Sequence, residues 1–111
     1  MLRSQLLKGV LDLAVLAILQ QKPSYGYAIL ERLEEAGLRE VGDASVYGTL
    51  RRLEDAGHLR SRTVPSDAGP PRRYFELTVT GRDVMQRGVR EWTEVDQALS
   101  RLLDHPVRAA R

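Results

Sequence analysis

The sequence predicts a mainly helical α+β fold, with four helices and one small β-hairpin in a single domain. Three observations lead to this prediction. Apolar residues recur at helical spacing in four segments, turn residues and helix-ending residues separate those segments, and alternating residues follow the third helix. The chain has 111 residues, of which 42% are hydrophobic and 29% charged, which is the composition of an ordinary globular domain.

The first helix is predicted over residues 2–20, and apolar residues cover most of its surface. A helix that is apolar nearly all round is buried nearly all round. The core of so small a domain does not cover every face, so we expect a partner chain to cover the remainder. The main apolar stripe is formed by Leu6, Leu7, Val10, Leu11, Ala14 and Ile18.

The second helix is predicted over residues 25–36, after a break at Lys22-Pro23. Ser24 is the expected N-cap, and Gly37 is the expected stop. Tyr25 is among the residues that open this helix.

The third helix is predicted between Asp43, as an acceptor cap, and Gly57, as a left-handed stop. Its apolar residues share one face that must be buried: Val46, Leu50 and Leu53. The opposite face carries hydroxyl groups and guanidinium groups rather than a mixture of Glu and Lys. We expect this face to show Ser45, Thr49 and Arg52, with Tyr47 and Arg51 at its edges.

A β-hairpin is predicted after the third helix, with strands over residues 59–64 and 72–78. Residues 65–71 are rich in Pro, Gly and Asp and form the expected tip. Arg72 and Arg73 follow this tip, and alternating strand geometry lets only one of them point outward on a given face. The sequence leaves open which of the two does so.

The positive charge of the chain is concentrated in the same region. The formal net charge is only +2, and residues 41–75 carry six positive and four negative residues, whereas the flanking segments are balanced. A helix with a hydroxyl-and-arginine face, followed by a hairpin with arginines, is what a winged helix-turn-helix needs to hold DNA.

The last helix is predicted from a capping box at residues 80–83 to about Asp104, with His105-Pro106 as its end. Its apolar residues follow the 3–4 spacing of a coiled-coil seam, and Gly88 permits close approach. We therefore expect a homodimer in which the last helix packs with the first. The predicted dimer interface consists of Leu6, Val10, Met85, Trp92, Val95, Leu99 and Leu102.

These elements predict three parts along the chain. Residues 1–79 form the winged helix-turn-helix, residues 80–105 form the dimerisation helix, and residues 106–111 form a short tail.

Several sequence patterns together resemble the PadR-type transcriptional regulators, in particular the short subgroup with one C-terminal dimerisation helix. The resemblance covers nearly the whole chain. One departure is Gly48, where the family often has proline; glycine costs a helix about 1 kcal/mol relative to alanine. The patterns are Tyr25-Gly26-Tyr27, residues 46–54, Gly57-His58-Leu59, and residues 72–78 leading to Gly81.

The resemblance implies a sequence-specific DNA-binding regulator, acting as a homodimeric, ligand-responsive repressor on an inverted-repeat operator. The expected partners are double-stranded DNA, a second copy of the chain, and a small hydrophobic or aromatic effector. Trp92 is either an anchor of the dimer interface or a platform on which such an effector stacks. The predicted DNA-binding residues are Tyr25, Ser45, Tyr47, Thr49, Arg51, Arg52, Arg72 and Arg73.

The alternative function is a winged-helix protein-interaction module without DNA binding. Such a module is expected to carry acidic or apolar residues on the third helix, where this chain has Ser, Thr and Arg. An enzyme is not expected, because the chain has no Cys, no Gly-rich loop after a strand, and no base in a motif with Ser24 or Ser45.

No cofactor or metal site is expected, since His58 and His105 lie far apart without ligand-like spacing. The longest apolar run, residues 10–19, is broken by Asp12 and is too short to span a bilayer. The N-terminal stretch also lacks the cleavage site of a signal peptide. We therefore expect a cytoplasmic protein that does not enter a membrane.

Overall fold

The computed structural model describes residues 3–103, over which five helices surround one side of a three-stranded sheet. This arrangement confirms the mainly helical winged helix-turn-helix with a long C-terminal helix. Some residues that the sequence analysis assigned lie outside this range. They are Leu2, Asp104, His105-Pro106 and the tail at residues 106–111. In chain order the elements are α1 (Arg3–Lys8), α2 (Leu11–Gln21), β1 (Ser24–Tyr25), α3 (Gly26–Glu35), α4 (Asp43–Asp55), β2 (Leu59–Ser66), β3 (Gly69–Leu77) and α5 (Val79–Leu102).

The prediction of one continuous first helix was wrong, because the chain turns at Gly9 and Val10. Val10 has φ −122° and ψ −5°, and its N–H donates to the carbonyl of Leu7 at 3.0 Å, three residues back rather than four. Glycine weakens a helix at this point, since it loses more conformational freedom than any other residue. The break lets α1 lie against the α3–α4 turn, where Arg3 donates to the carbonyl of Gly37 at 2.6 Å.

The core is built around α2, which contacts α3, α4, α5 and β3. Deeply buried residues come from three helices that pack together: Val15, Ile29, Leu33, Val46 and Leu50. The sheet closes one side of this core with Leu59, Phe75 and Leu77. Burial of Val46, Leu50 and Leu53 confirms the apolar face predicted for the third helix.

A third strand, β1, pairs with β3 and was not predicted from the sequence. Ser24 pairs with Phe75 and Tyr25 with Tyr74, so the strand order is β1-β3-β2. Ser24 was predicted to cap the second helix, but α3 begins at Gly26 and has no side-chain cap. A two-residue strand is too short to show an alternating pattern.

The hairpin has longer strands than predicted, and only residues 67 and 68 remain between them. Arg72 pairs with Val64 and Arg73 with Thr63, so both arginines lie within β3 rather than at the tip. The register shifts between Val64 and Ser66, which places a bulge near the end of the hairpin.

Two predicted helix caps were displaced by one or two residues. Asp43 is the first residue of α4 rather than its cap, and Gly42 occupies the cap position without a side-chain hydrogen bond. The N-cap of α5 is Thr78, whose Oγ1 accepts from the N–H of Gly81 at 3.0 Å, rather than a residue of the 80–83 box. Gly57 has φ +85°, which confirms it as the left-handed stop of α4.

The first part of α5 packs on its own chain. Met85 is buried in the core of the protomer, so its assignment to the dimer interface was wrong. Gly88, predicted for close approach between chains, instead approaches Leu13 of α2, whose Cδ1 would lie 3.0 Å from a Cβ at position 88. Beyond Gly88 the apolar residues of α5 are largely exposed, and the molecule measures 52 × 28 × 24 Å.

Candidate nucleic-acid interface

Four of the α4 residues predicted to contact DNA are exposed: Ser45, Tyr47, Arg51 and Arg52. The fifth, Thr49, is only 3% exposed, so its placement on the outer face was wrong. Thr49 lies three residues after Val46 and four before Leu53, on the flank of the core face that α2 covers. A direct contact with a base edge is therefore not expected for Thr49.

A groove of about 470 Å³ runs between the α1–α2 segment and α4. Small residues on α4 leave its floor open, because Ala44, Ser45 and Gly48 have short side chains or none. Its charged residues are three cations and one carboxylate: Lys8, Arg51, Arg52 and Asp12. Neither Lys8 nor Asp12 was identified from the sequence, although Asp12 is the one charged residue in the apolar run 10–19.

Arg52 is the partner of Asp12. Its two terminal nitrogens donate to the two carboxylate oxygens of Asp12 at 3.0 and 3.1 Å, which is a bidentate pair. Hydrogen bonding to Asp12, followed by the Coulombic attraction of the same carboxylate, raises the pKa of Arg52 above its ordinary value. Arg52 was predicted from the sequence as a DNA contact alone, whereas the structure also links it to α2.

Tyr47 lies on the other side of α4, against the start of α3. Its ring packs over Gly26 so closely that a Cβ at position 26 would overlap the ring carbons. Tyr47 is nevertheless 48% exposed, so the ring is held by the protein while part of it faces solvent. The tight contact explains why glycine stands between Tyr25 and Tyr27.

Tyr25 continues this surface from α3 to the wing, which we define as β2 and β3. The ring of Tyr25 lies 5.3 Å from that of Tyr74, and the guanidinium of Arg72 lies 4.5 Å above the Tyr25 ring. This is the geometry of a cation–π contact, which orients a guanidinium without neutralising its charge.

Arg73 points to the opposite face of β3 and is held there by hydrogen bonds. Its Nε donates to Ser61 Oγ at 2.9 Å, and its Nη2 pairs with Glu54 Oε1, also at 2.9 Å. Ser61 Oγ in turn donates to Glu54 Oε2. Because Glu54 belongs to α4 and Arg73 to the wing, this cluster fixes the wing relative to α4, and Arg72 is the arginine that remains on the outer face.

The described residues therefore bring the predicted DNA contacts into two groups. One group, from α4 and the adjacent groove, comprises Ser45, Arg51 and Arg52. The other runs from Tyr47 across Gly26 to Tyr25 and Arg72. We call the two groups together the arginine–tyrosine surface.

A second, apolar cleft of about 390 Å³ lies between α2 and the middle of α5. Trp92, 40% exposed, lies along it, so the predicted effector residue is in a cavity of ligand size. The carboxylates in its lining are Asp12 and Glu91, and no Lys or Arg lines it. The remaining lining is Gly9, Val10, Leu13, Leu16, Val84, Gly88 and Val95.

Residues 3–103 contain neither a candidate metal-binding cluster nor a helix that could span a membrane. Within residues 3–103, His, Asp and Glu side chains form no cluster of three or more that could hold a metal ion. Among the helices over that same range, none has both the length and the apolar character needed to cross a membrane.

The fold and the arginine–tyrosine surface together define a winged helix-turn-helix protein. The chain belongs to the transcriptional regulator PadR-like family, whose family model matches residues 15–87. Membership confirms the resemblance drawn from the motifs, and it confirms a regulator rather than an enzyme.

Solved structures of similar proteins agree with this assignment. A PadR-like transcriptional regulator from Bacillus cereus is 30% identical with a TM-score of 0.81, covering 89% of this chain and 96% of that one. A transcriptional regulator from Streptococcus is 35% identical with a TM-score of 0.79, covering 88% and 96%. Bacillus subtilis PadR, solved in complex with operator DNA, shares the fold at 23% identity and a TM-score of 0.67, covering 72% and 46%.

Proposed function

We propose that this PadR-like regulator is a sequence-specific DNA-binding repressor that acts as a homodimer and responds to a small effector. The observation that carries the DNA-binding part is the arginine–tyrosine surface, because contacts from Tyr47 over Gly26 and from Tyr25 to Arg72 link α4 to the wing. Residues that contact bases and residues that contact phosphates are both available on it.

Each part of the surface suits a different contact with a DNA duplex. Ser45 and the bare backbone at Gly48 permit α4 to approach base edges in the major groove. Arg51 and the hydroxyl of Tyr47 lie at its edges, where phosphates pass. Arg72, stacked on Tyr25 and uncompensated by a carboxylate among the described residues, reaches the backbone or the minor groove beside the wing.

The proposed homodimer rests on the exposed apolar face of α5. Along this helix, which is about 36 Å long at 1.5 Å per residue, apolar residues beyond Gly88 recur every three or four positions. They are Val89 at 46% exposure, Trp92, Val95 at 62%, Leu99 at 50% and Leu102 at 83%. Leu6, 60% exposed on α1, adds to the apolar surface available to a second copy. A two-fold dimer reads two half-sites of an inverted repeat about one helical turn apart.

The proposed effector site is the cleft beside Trp92. Its apolar walls and the indole ring favour a flat aromatic molecule, and the carboxylate of Glu91 favours a neutral or cationic one. Because the cleft lies against α5, an effector there changes the packing that sets the distance between the two recognition helices. The protein then releases DNA if the effector binds more tightly to the dimer arrangement that cannot hold DNA than to the one that can.

DNA binding is tested by fluorescence anisotropy on the promoter upstream of the chain's own gene, across a salt series. Wild-type protein is expected to bind with a steep salt dependence, and Arg72→Ala to reduce the slope of log K against log salt by about 0.9. Arg51→Ala is expected to act in the same direction.

Arg73→Ala is the matched control, since it removes the neighbouring arginine that pairs with Glu54. We expect it to lower the melting temperature while leaving the salt slope closer to the wild-type value. Equal loss of slope in both variants would contradict the assignment of Arg72. Absence of binding to both the promoter and a random-sequence pool would favour the protein-interaction module instead.

Sedimentation equilibrium tests the homodimer separately from DNA binding. A monomer at micromolar concentration would contradict the proposed dimer.

Titration of a planar aromatic cation, followed by quenching of Trp92 fluorescence, tests the cleft. Quenching without any loss of DNA affinity would contradict the regulatory role of the cleft.

A further inference from the structure

An ion pair joins Asp12 of α2 to Arg52 on the exposed side of α4. Asp12 is the one charged residue in the apolar run 10–19 of α2, and Arg52 stands on the exposed side of the recognition helix α4. The side chains are 46% and 63% exposed, so the pair lies at the molecular surface rather than in the core. An exposed pair is weak enough to be exchanged for another partner.

The neighbouring Arg51 provides the contrast. Arg51 lines the same groove, and within residues 3–103 no ion pair joins it to a carboxylate. Arg52, in contrast, uses both terminal nitrogens on Asp12, and its Nη2 also lies 3.4 Å from Thr49 Oγ1. One arginine of the groove is therefore an available cation, and the other is already compensated.

The ion pair with Asp12 changes how much a phosphate contact by Arg52 contributes to the affinity for DNA. A cation that neutralises a phosphate releases condensed counterions, which provides most of the affinity for DNA of arbitrary sequence. For Arg52 that gain requires the carboxylate of Asp12 to be displaced, after which an unpaired negative charge remains beside the DNA. Arg51 has no such requirement.

We propose that Asp12 is a specificity-determining residue, which holds Arg52 as a compensated charge and so suppresses binding to DNA of arbitrary sequence. The proposal rests on the DNA-binding function proposed above. A guanine opposite Arg52 offers a further acceptor pair, O6 and N7, which is present only at particular sequences and offsets the displacement of the carboxylate there.

The test is a double-mutant cycle measured by fluorescence anisotropy on a random-sequence duplex and on the promoter fragment, each across a salt series. Its members are wild type, Asp12→Asn, Arg52→Ala and the double variant. Asp12→Asn is expected to bind the random duplex about fivefold more tightly near 0.15 M salt, with a slope steeper by about 0.9, as for one added phosphate contact. The ratio of promoter affinity to random-duplex affinity falls accordingly.

The double variant carries the decisive comparison. With Ala at position 52, Asp12→Asn is expected to change random-duplex affinity far less, because no guanidinium is released. An equal gain in both backgrounds would show a general charge effect and overturn the proposal, as would an unchanged salt slope in Asp12→Asn. Asp12→Glu, which keeps the carboxylate, is expected to keep the wild-type slope.

Two controls distinguish the release of Arg52 from a change in overall charge or in folding. Asp55→Asn removes an exposed carboxylate from α4 itself, so its effect measures the loss of one negative charge near the DNA. Thermal melting shows whether each variant is folded at the assay temperature. If wild type and all variants lack salt-dependent binding to any DNA, the proposed function itself fails; if they bind and the cycle is additive, only the role of Asp12 fails.

Discussion

The two halves of α5 have the same kind of apolar spacing but different surroundings. In the first half, Gly81 and Met85 are buried against the chain's own strands and helices. In the second half, residues at the same three-to-four spacing, such as Val95 and Leu99, are half exposed or more. A repeated apolar spacing therefore predicts that a helix face is buried, but it does not predict whether the same chain or a second copy buries it.

The two halves differ in how closely α5 packs on α2. Gly88 lies close against α2, where it faces Leu13, whereas Trp92 and Val95 line the open cleft beside α2. The apolar face beyond Gly88 is largely exposed on the protomer, and we proposed a second copy as its cover. Substitutions in each half of α5 test whether the first half packs on its own chain and the second half on a second copy.

The largest effect is expected from Gly81→Ala in the first half. An added Cβ would overlap the carbonyl oxygen of His58, and that backbone is fixed by bonds from the His58 N–H to Leu53 and from the Thr78 N–H to the His58 carbonyl. We expect the free energy of unfolding to fall by more than about 4 kcal/mol, or folding to fail. Chemical denaturation measures it, and a loss below about 1 kcal/mol would contradict the packing described.

Met85→Ala should cost about 2–5 kcal/mol of unfolding free energy, because it empties a buried site in the protomer core. The loss should not depend on the oligomeric state. Leu99→Ala is the comparison: its effect should appear mainly in the dissociation constant of the dimer. Denaturation curves at several protein concentrations distinguish the effects of the two variants. A loss of stability in Met85→Ala that depends on protein concentration would show that Met85 lies in the dimer interface.

Val95→Asp should weaken the dimer by more than tenfold, since it places a carboxylate on a face that a second copy is proposed to bury. Val79→Asp makes the same change at an 80% exposed residue in the first turn of α5, where a negative charge suits the helix dipole. Sedimentation equilibrium should show dissociation only for Val95→Asp. Equal behaviour of the two variants would show that this face is not the interface.

The smallest effect is expected at the junction, for Gly88→Ala. Alanine raises helix propensity by about 1 kcal/mol, but its Cβ would press on the end of the Leu13 side chain, which must shift by a few tenths of an ångström. We expect these contributions to offset each other to within about 1 kcal/mol in the free energy of unfolding. Gly48→Ala is the control with nothing within 4 Å, and it should stabilise by about 1 kcal/mol.

Much of the fold was predictable because local patterns and tertiary contacts agree. The apolar face of α4, its stop at Gly57 and the hairpin follow from spacing and turn residues alone. The break at Gly9–Val10, strand β1 and the exact caps were not predictable, since each depends on contacts with distant parts of the chain. Arg3, for example, bonds to Gly37, 34 residues away.

The candidate site was predictable as a set of residue types but not as a geometry. Helical periodicity placed Thr49 outward, and only the position of α2 shows that this flank is covered. The sequence also left Arg72 and Arg73 equivalent until the pairing of β3 with its neighbours placed one over Tyr25 and the other against Glu54.

The sequence by itself determined the class of fold, the family, and the concentration of arginine and hydroxyl groups around α4 and the wing. These properties depend on residue types and near-neighbour spacing, which local physical chemistry fixes. Only the tertiary structure decided which apolar residues of α5 face inward and which arginines carry an uncompensated charge. Both depend on side chains brought together from distant positions, such as Asp12 with Arg52, 40 residues apart, and no local pattern specifies that meeting.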